Sequence, residues 1–231
     1  MKTKHILRDR RSILAGAMLV GSTLVGAAAL PLLAGLPRGL RAEESDREPL
    51  KADARGLLDG DRMLGNREAP AVLIEYASLS CPHCARFHSA MLPSIKQDWV
   101  DSGKLLYVYR DFPLNRPALW AAMVADCLEG NAFFGFIELL YREQRSWLMA
   151  EDPGAELFTL SQLAGFDKAR FESCISDQAT FDRLVMGIEY AEATYGISVT
   201  PTLILNGAKV SNASYETYEE LSALIAEEQG R

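Results

Sequence analysis

The stretch Val72-Leu73-Ile74-Glu75-Tyr76-Ala77-Ser78-Leu79-Ser80-Cys81-Pro82-His83-Cys84-Ala85-Arg86-Phe87-His88 decides the fold. A mostly apolar run suited to a strand covered on both faces meets a short turn, and a helix opens on two cysteines. Cys81 and Cys84 stand at i and i+3, so their sulfurs share one helix face and can close a small disulfide or open to a dithiol. Pro82 suits the first helical position, where no N–H is needed. A thiolate at Cys81 would lie against the unpaired N–H groups and the positive dipole end of that helix, and a protonated His83 would add to the field. Such surroundings bring a cysteine pKa from about 8.5 down to roughly 3.5 to 7.5. The thiolate and therefore the reduced pair are favoured, which makes the disulfide an oxidant.

Two other uses of a C-x-x-C compete with this one. A structural zinc site needs a second cysteine or histidine pair, and the sequence offers only His83 and His88 nearby. A purely structural role is weaker still, because so small a ring constrains little of the unfolded chain. The strand before the cysteines and the helix after them favour redox chemistry over metal binding.

Outward from the motif, Ala71 to Ala77 is read as a central strand. Glu75 interrupts it, and periodicity alone reads it as a strand-end residue reaching water. The helix from Pro82 is predicted to run to about Asp101, with Pro93 removing one backbone bond and bending it. His88, one turn past Cys84, suits packing or the surface better than a ligand role. Lys104 to Arg110 is the next strand. Helical patterns follow at Pro117 to Glu129, Ala132 to Tyr141, Glu156 to Leu163, Lys168 to Ser176 and Ala179 to Tyr195, with Trp120, Phe133, Phe134, Phe136 and Trp147 as their core. Thr202 to Asn206 and Ala208 to Val210 flank Asn206-Gly207, a hairpin signal, and Ser214 to Glu228 is a closing helix.

The strand, Cys81-Pro82-His83-Cys84 and the later Val199-Thr200-Pro201-Thr202 together resemble the DsbA-like thiol:disulfide oxidoreductase family. The likeness runs from about Gly65 to the C-terminus. It implies an α/β fold with a thioredoxin-like central sheet and a helical insertion at about 113–196. It also implies a cis Pro201 opposite the cysteine pair, although X-Pro bonds are mostly trans, with the Thr200 backbone free to pair with an extended substrate peptide. It assigns Glu75 the part of a partly buried carboxylate that relays the proton of Cys84. Some members carry a second disulfide in the helical part, and Cys127 and Cys174 are paired here as a structural disulfide, with two buried free thiols as the alternative.

Ahead of this domain, Met1 to Arg11 is basic, carries Arg10-Arg11, and leads into an uncharged run from Ser12 to Leu36. Residues 1–42 are read as an export signal. Arg10-Arg11-Ser12-Ile13-Leu14 is similar to a twin-arginine signal, while the general secretory route also suits. Leu40-Arg41-Ala42 is a poor cleavage site, so an uncleaved anchor stays open. Residues 43–64 are read as a flexible charged linker. Seven of the 24 basic and one of the 31 acidic residues precede Glu43, so 17 basic and 30 acidic residues follow. That balance argues against nucleic acid, whose binding rests on basic patches.

The function expected is therefore an exported, periplasmic dithiol oxidase that passes the Cys81-Cys84 disulfide to cysteines of newly translocated proteins. Pro82, His83 and Glu75 tune it, and Thr200 and Pro201 hold substrate. The redox disulfide serves in place of a cofactor. The resemblance implies a membrane partner that reoxidises the pair, and the short polar linker suggests a monomer. An isomerase or reductase on the same fold and, more remotely, a metal-binding module are the alternatives.

Overall fold

The computed structural model describes residues 49–212 and 215–229. The leader and the first part of the linker lie outside them. A five-stranded sheet organises the domain in the order β1-β3-β2-β4-β5. Its strands are β1 (Arg62–Leu64), β2 (Ala71–Ala77), β3 (Leu105–Asp111), β4 (Thr202–Leu205) and β5 (Ala208–Lys209). β2 at the centre runs parallel to β3 and antiparallel to β4. Asn206 and Gly207, with φ of 46° and 82°, make the turn between β4 and β5, which is why Asn-Gly stands there.

All seven residues of β2 are buried. Its two-residue period sends Val72, Ile74 and Tyr76 to one side, against Leu106, Val108, Ala191 and Ile197. Leu73 and Ala77 face the other side with Tyr107 and Tyr109. Glu75 belongs to this second face by period and is fully buried. It does not reach water at a strand end, because β2 continues to Ala77 and is covered on both faces.

The long helix expected from Pro82 to Asp101 is interrupted. α1 (Pro82–Ala90) stops at Met91, α2 (Leu92–Ile95) begins beside Pro93, and Lys96–Val100 forms a π-helical turn. Pro93 has no N–H to give the preceding turn, so the break falls there. After β3 come α3 (Arg116–Asp126), α4 (Gly130–Arg142), α5 (Gln144–Leu148), α6 (Pro153–Leu163), α7 (Lys168–Ile175) and α8 (Gln178–Tyr195), and α9 (Tyr218–Gln229) closes the domain. Asn115, Asp152, Asp167 and Asp177 cap α3, α6, α7 and α8 by accepting from backbone N–H groups of the first turn. The five-residue α5 escaped the sequence reading because a segment of that length shows no period. Phe133, Phe134, Phe136 and Trp147 are buried in the insertion, while Trp120 is only partly so.

The linker reading of residues 43–64 is corrected from Leu57 onward. Leu57 and Leu58 are buried, and β1 pairs antiparallel with β3. The charges that made this segment look solvated are matched by distant ones. Asp61 accepts two bonds of 2.8 Å from Arg110, and Arg62 lies 2.9 Å from Asp126. Such pairing across the fold leaves no trace in local composition. Among the described residues no helix is long and apolar enough to cross a membrane.

Candidate active site

Cys81 is the N-cap of α1, with extended φ and ψ of −87° and 119°, and Pro82 opens the helix behind it. The cap position points the sulfur at the end of the helix where N–H groups lack partners. Cys84, one turn on, is fully buried, whereas Cys81 keeps 5% exposure, and both thiols are free. The two sulfurs are electrostatically opposite. Hydrogen bonding from the Cys84 thiol, with further help from Thr200 and the backbone N–H groups of Cys84 and His83, lowers the Cys81 pKa from 9.0 to about 5 against the opposing effect of burial. Burial first, and then Cys81 and the charge of Glu75, push the Cys84 thiol far upward. Cys81 is therefore the thiolate and Cys84 the thiol.

The part expected of His83 is corrected. Its Nδ1 accepts from Arg86, and His83 acts on Cys81 through its backbone N–H. A guanidinium can only donate, so in this arrangement His83 Nδ1 carries no proton.

Thr200-Pro201 is a cis peptide. It brings the Thr200 carbonyl oxygen to 3.1 Å from Cys81 Sγ, which donates to it. The expectation of a free Thr200 backbone thus needs correction for the thiol form, where Cys81 occupies that acceptor. The Thr200 hydroxyl oxygen is buried with no hydrogen-bond partner among the described residues. It is at hand to donate when the sulfur is charged. Pro201 is fixed from behind, its carbonyl accepting from the Tyr215 hydroxyl at 3.2 Å.

Glu75 lies beneath the cysteines. Its Oε2 accepts from the Tyr107 hydroxyl and lies 3.0 Å from His88 Nε2, while Oε1 has no partner among the described residues. Sequence reading missed two members of this surround. His88 is buried, in keeping with its packing reading, but it packs on Glu75 of the site itself, and its place one turn after Cys84 was the available signal. Gln144 on α5 donates from Nε2 to the carbonyls of Leu79 and Cys81 at 2.9 and 3.0 Å, tying the turn before α1 to the helical insertion. Nothing local marks Gln144, because its partners are more than sixty residues away.

Cys127, at the end of α3, and Cys174 in α7 are joined by a disulfide within the helical insertion, 47 residues apart in sequence. A metal reading of the C-x-x-C would require further ligands, and among the described residues no group of three or more His, Cys, Asp or Glu side chains is assembled to hold an ion.

A dithiol at the start of a helix, facing a cis-proline loop across a sheet with an antiparallel β4 beside its centre, defines the thioredoxin-fold class of redox proteins. Comparison with known proteins agrees, since a thioredoxin family model matches residues 58–227. A Rickettsia bellii protein bearing the name protein-disulfide oxidoreductase is 30% identical over 68% of this chain and 61% of its own length. One from Rickettsia felis is 27% identical over 74% of this chain and 62% of its own. The chain thus spans about three fifths of the length of these curated relatives. The crystal structure of Wolbachia pipientis alpha-DsbA1 superposes with a TM-score of 0.69 at 31% identity, covering 75% of this chain and 93% of that one. Oxidised BdbD from Bacillus subtilis, 22% identical with a TM-score of 0.62 over 74% of this chain and 94% of its own, shares the fold. The chain belongs to the DsbA-like thiol:disulfide oxidoreductase family.

Proposed function

We propose that the protein donates the Cys81-Cys84 disulfide to cysteines of newly translocated proteins. The observation that carries this reading is the asymmetry of the two sulfurs. With Cys81 held as a thiolate at the head of α1 and Cys84 buried as a thiol, the reduced pair is stabilised, and a disulfide whose reduced form is stabilised is a strong oxidant. A substrate thiolate attacks Cys81 Sγ, the Cys81-Cys84 bond breaks, and a second substrate cysteine then displaces Cys81 as a good leaving group. In the disulfide form Cys81 has no proton to donate, so the Thr200 carbonyl is free to accept from a substrate backbone N–H. That contact is indifferent to side chains and suits many clients.

The basic, apolar leader supports export to the periplasm, with Arg10-Arg11 favouring the twin-arginine route and the uncharged run leaving room for a retained anchor. A monomer working with a membrane partner that reoxidises the pair completes the reading. The test is the redox equilibrium of the pair against glutathione in the protein lacking residues 1–42. A potential well above about −270 mV, the thioredoxin value, supports donation of disulfides. A potential at or below it overturns the reading in favour of a reductase or isomerase.

A further inference from the structure

Resting on the dithiol chemistry above, we propose that His88 is the positioning residue through which a solvent proton reaches Glu75 and, from it, the buried Cys84 sulfur. Three observations place it there. His88 stands on α1 one turn beyond Cys84, so the two side chains share a helix face. Its Nε2 is 3.0 Å from Glu75 Oε2. Its Nδ1 is buried with no partner among the described residues, while His88 is one of the residues lining a groove of about 710 Å³ between α1, α2 and α4. Glu75 is fully buried, and among the described residues its bonded oxygen is shared only by His88 and the Tyr107 hydroxyl. A buried acceptor nitrogen beside open groove space is a port for a proton.

A substrate thiolate attacks Cys81 Sγ, the new S–S bond forms, the Cys81-Cys84 bond breaks, and its electron pair leaves on Cys84 Sγ. Burial disfavours that anion. His88 passes Nε2–H to Oε2 of the Glu75 carboxylate, Glu75 so protonated gives its proton to Cys84 Sγ, and Nδ1 takes one proton from solvent in the groove. The sum is one solvent proton delivered to Cys84 for each disulfide opened. His88 is the donor at Nε2 because a carboxylate can only accept, which leaves Nδ1 as the acceptor.

The groups that face His88 are accounted for on every side. They are Cys84 on its own helix, Glu75 on β2, Tyr109 on β3 with ring centroids 5.8 Å away, and Tyr141 on α4 at 4.2 Å. The tyrosine hydroxyls of β3 and α4 are pushed upward by burial first and hold their protons. The groove wall adds Arg86, Lys96, Asp101, Glu138 and Arg142, all exposed. Glu75 is therefore the acid that His88 serves.

The experiment opens the oxidised protein with excess glutathione from pH 5 to 9 and reads the rate as alkylatable thiol, corrected for the glutathione thiolate fraction. In the wild type the corrected rate falls as pH rises, because each opening draws one proton from solvent. His88→Gln keeps an N–H for Glu75 and cannot pass a proton. It should slow opening about ten- to a hundredfold near neutral pH, toward the low end of general-acid effects, and flatten the profile. Glu75→Gln should flatten it likewise, and the double variant should be no slower than Glu75→Gln alone. The ultraviolet thiolate titration of Cys81 should stay in place in His88→Gln. A wild-type rate and profile in His88→Gln, an additive double variant, or a displaced Cys81 titration would overturn the proposal. A flat wild-type profile would do so without any variant. The glutathione equilibrium in the same samples separates this outcome from failure of the oxidase reading, since a low potential leaves the rate test intact.

Discussion

Cys81 Sγ lies 3.1 Å from the carbonyl oxygen of Thr200, a contact made across 119 residues of sequence. It joins the head of α1 to the cis-proline loop and shows where the attacking sulfur and the substrate backbone must meet. The loop reaches this position because β4 pairs antiparallel with β2, with Tyr76 opposite Thr202, so the residues just before β4 stand beside those just after β2. The same register that builds the sheet assembles the site.

The Cys81 pKa in the folded protein is about 5, below its ordinary value of 9.0, so its ionisation stabilises the reduced protein. That contribution is lost as pH falls through about 5 and grows as pH rises toward 9, whereas the disulfide form has no such group. Melting of reduced and oxidised protein across this range should show the difference shifting in favour of the reduced form with rising pH. A difference that stays constant between pH 5 and 9 contradicts the assignment.

The two cysteines should fail differently. Cys81→Ser removes the attacked sulfur and should abolish oxidation of a dithiol peptide. Cys84→Ser, given a disulfide-bonded peptide, should form a mixed disulfide at Cys81 as the Cys81 thiolate displaces one peptide sulfur, and should retain it, because the resolving thiol is gone. Its Cys81 titration should also move upward, since the Cys84 thiol is the largest cause of the depression. Mixed disulfides trapped by the Cys81 variant in place of the Cys84 variant would reverse the roles.

Gln144→Leu leaves the carbonyls of Leu79 and Cys81 without the side-chain amide that both accept from. Burying acceptors stripped of a donor costs about 1–3 kcal/mol. Urea unfolding should show a loss of that size with little change in slope, and a loss below about 0.5 kcal/mol, the scale of an ordinary surface substitution, would mean that solvent replaces the amide.

Replacing Cys127 and Cys174 together by Ala should leave the Cys81 titration in place and reduce stability. The closed loop of 47 residues corresponds to about 4 kcal/mol in the chain-entropy model. Unfolding of the double variant measures it, and peptide mapping of the non-reduced wild type checks the bond itself. Finding Cys127 alkylatable without reductant would contradict the pairing.

Much of the centre of the molecule was legible because its signals are short-range. An apolar run with a two-residue period, Pro82 behind Cys81, and Asn206-Gly207 each dictate geometry within a few residues. The insertion helices announced themselves by period and were found to within a few residues. β1 and α5 did not, being three and five residues long. The break of α1 at Met91 was half visible, since Pro93 marks a disturbance but not whether the helix bends or stops.

From the sequence alone came the reactive pair, the helix that activates it and the strand order's main members, because each depends on residue type and local spacing. Only the tertiary structure decided between the exposed and the buried reading of Glu75, made the Thr200 carbonyl the acceptor for Cys81, brought His88 and Gln144 into the site, and bound Asp61 and Arg62 to the domain. Each of those facts is a contact between residues distant in the chain. Desolvation and hydrogen bonding act through space, and the effective charge of a side chain is settled by what the fold sets beside it.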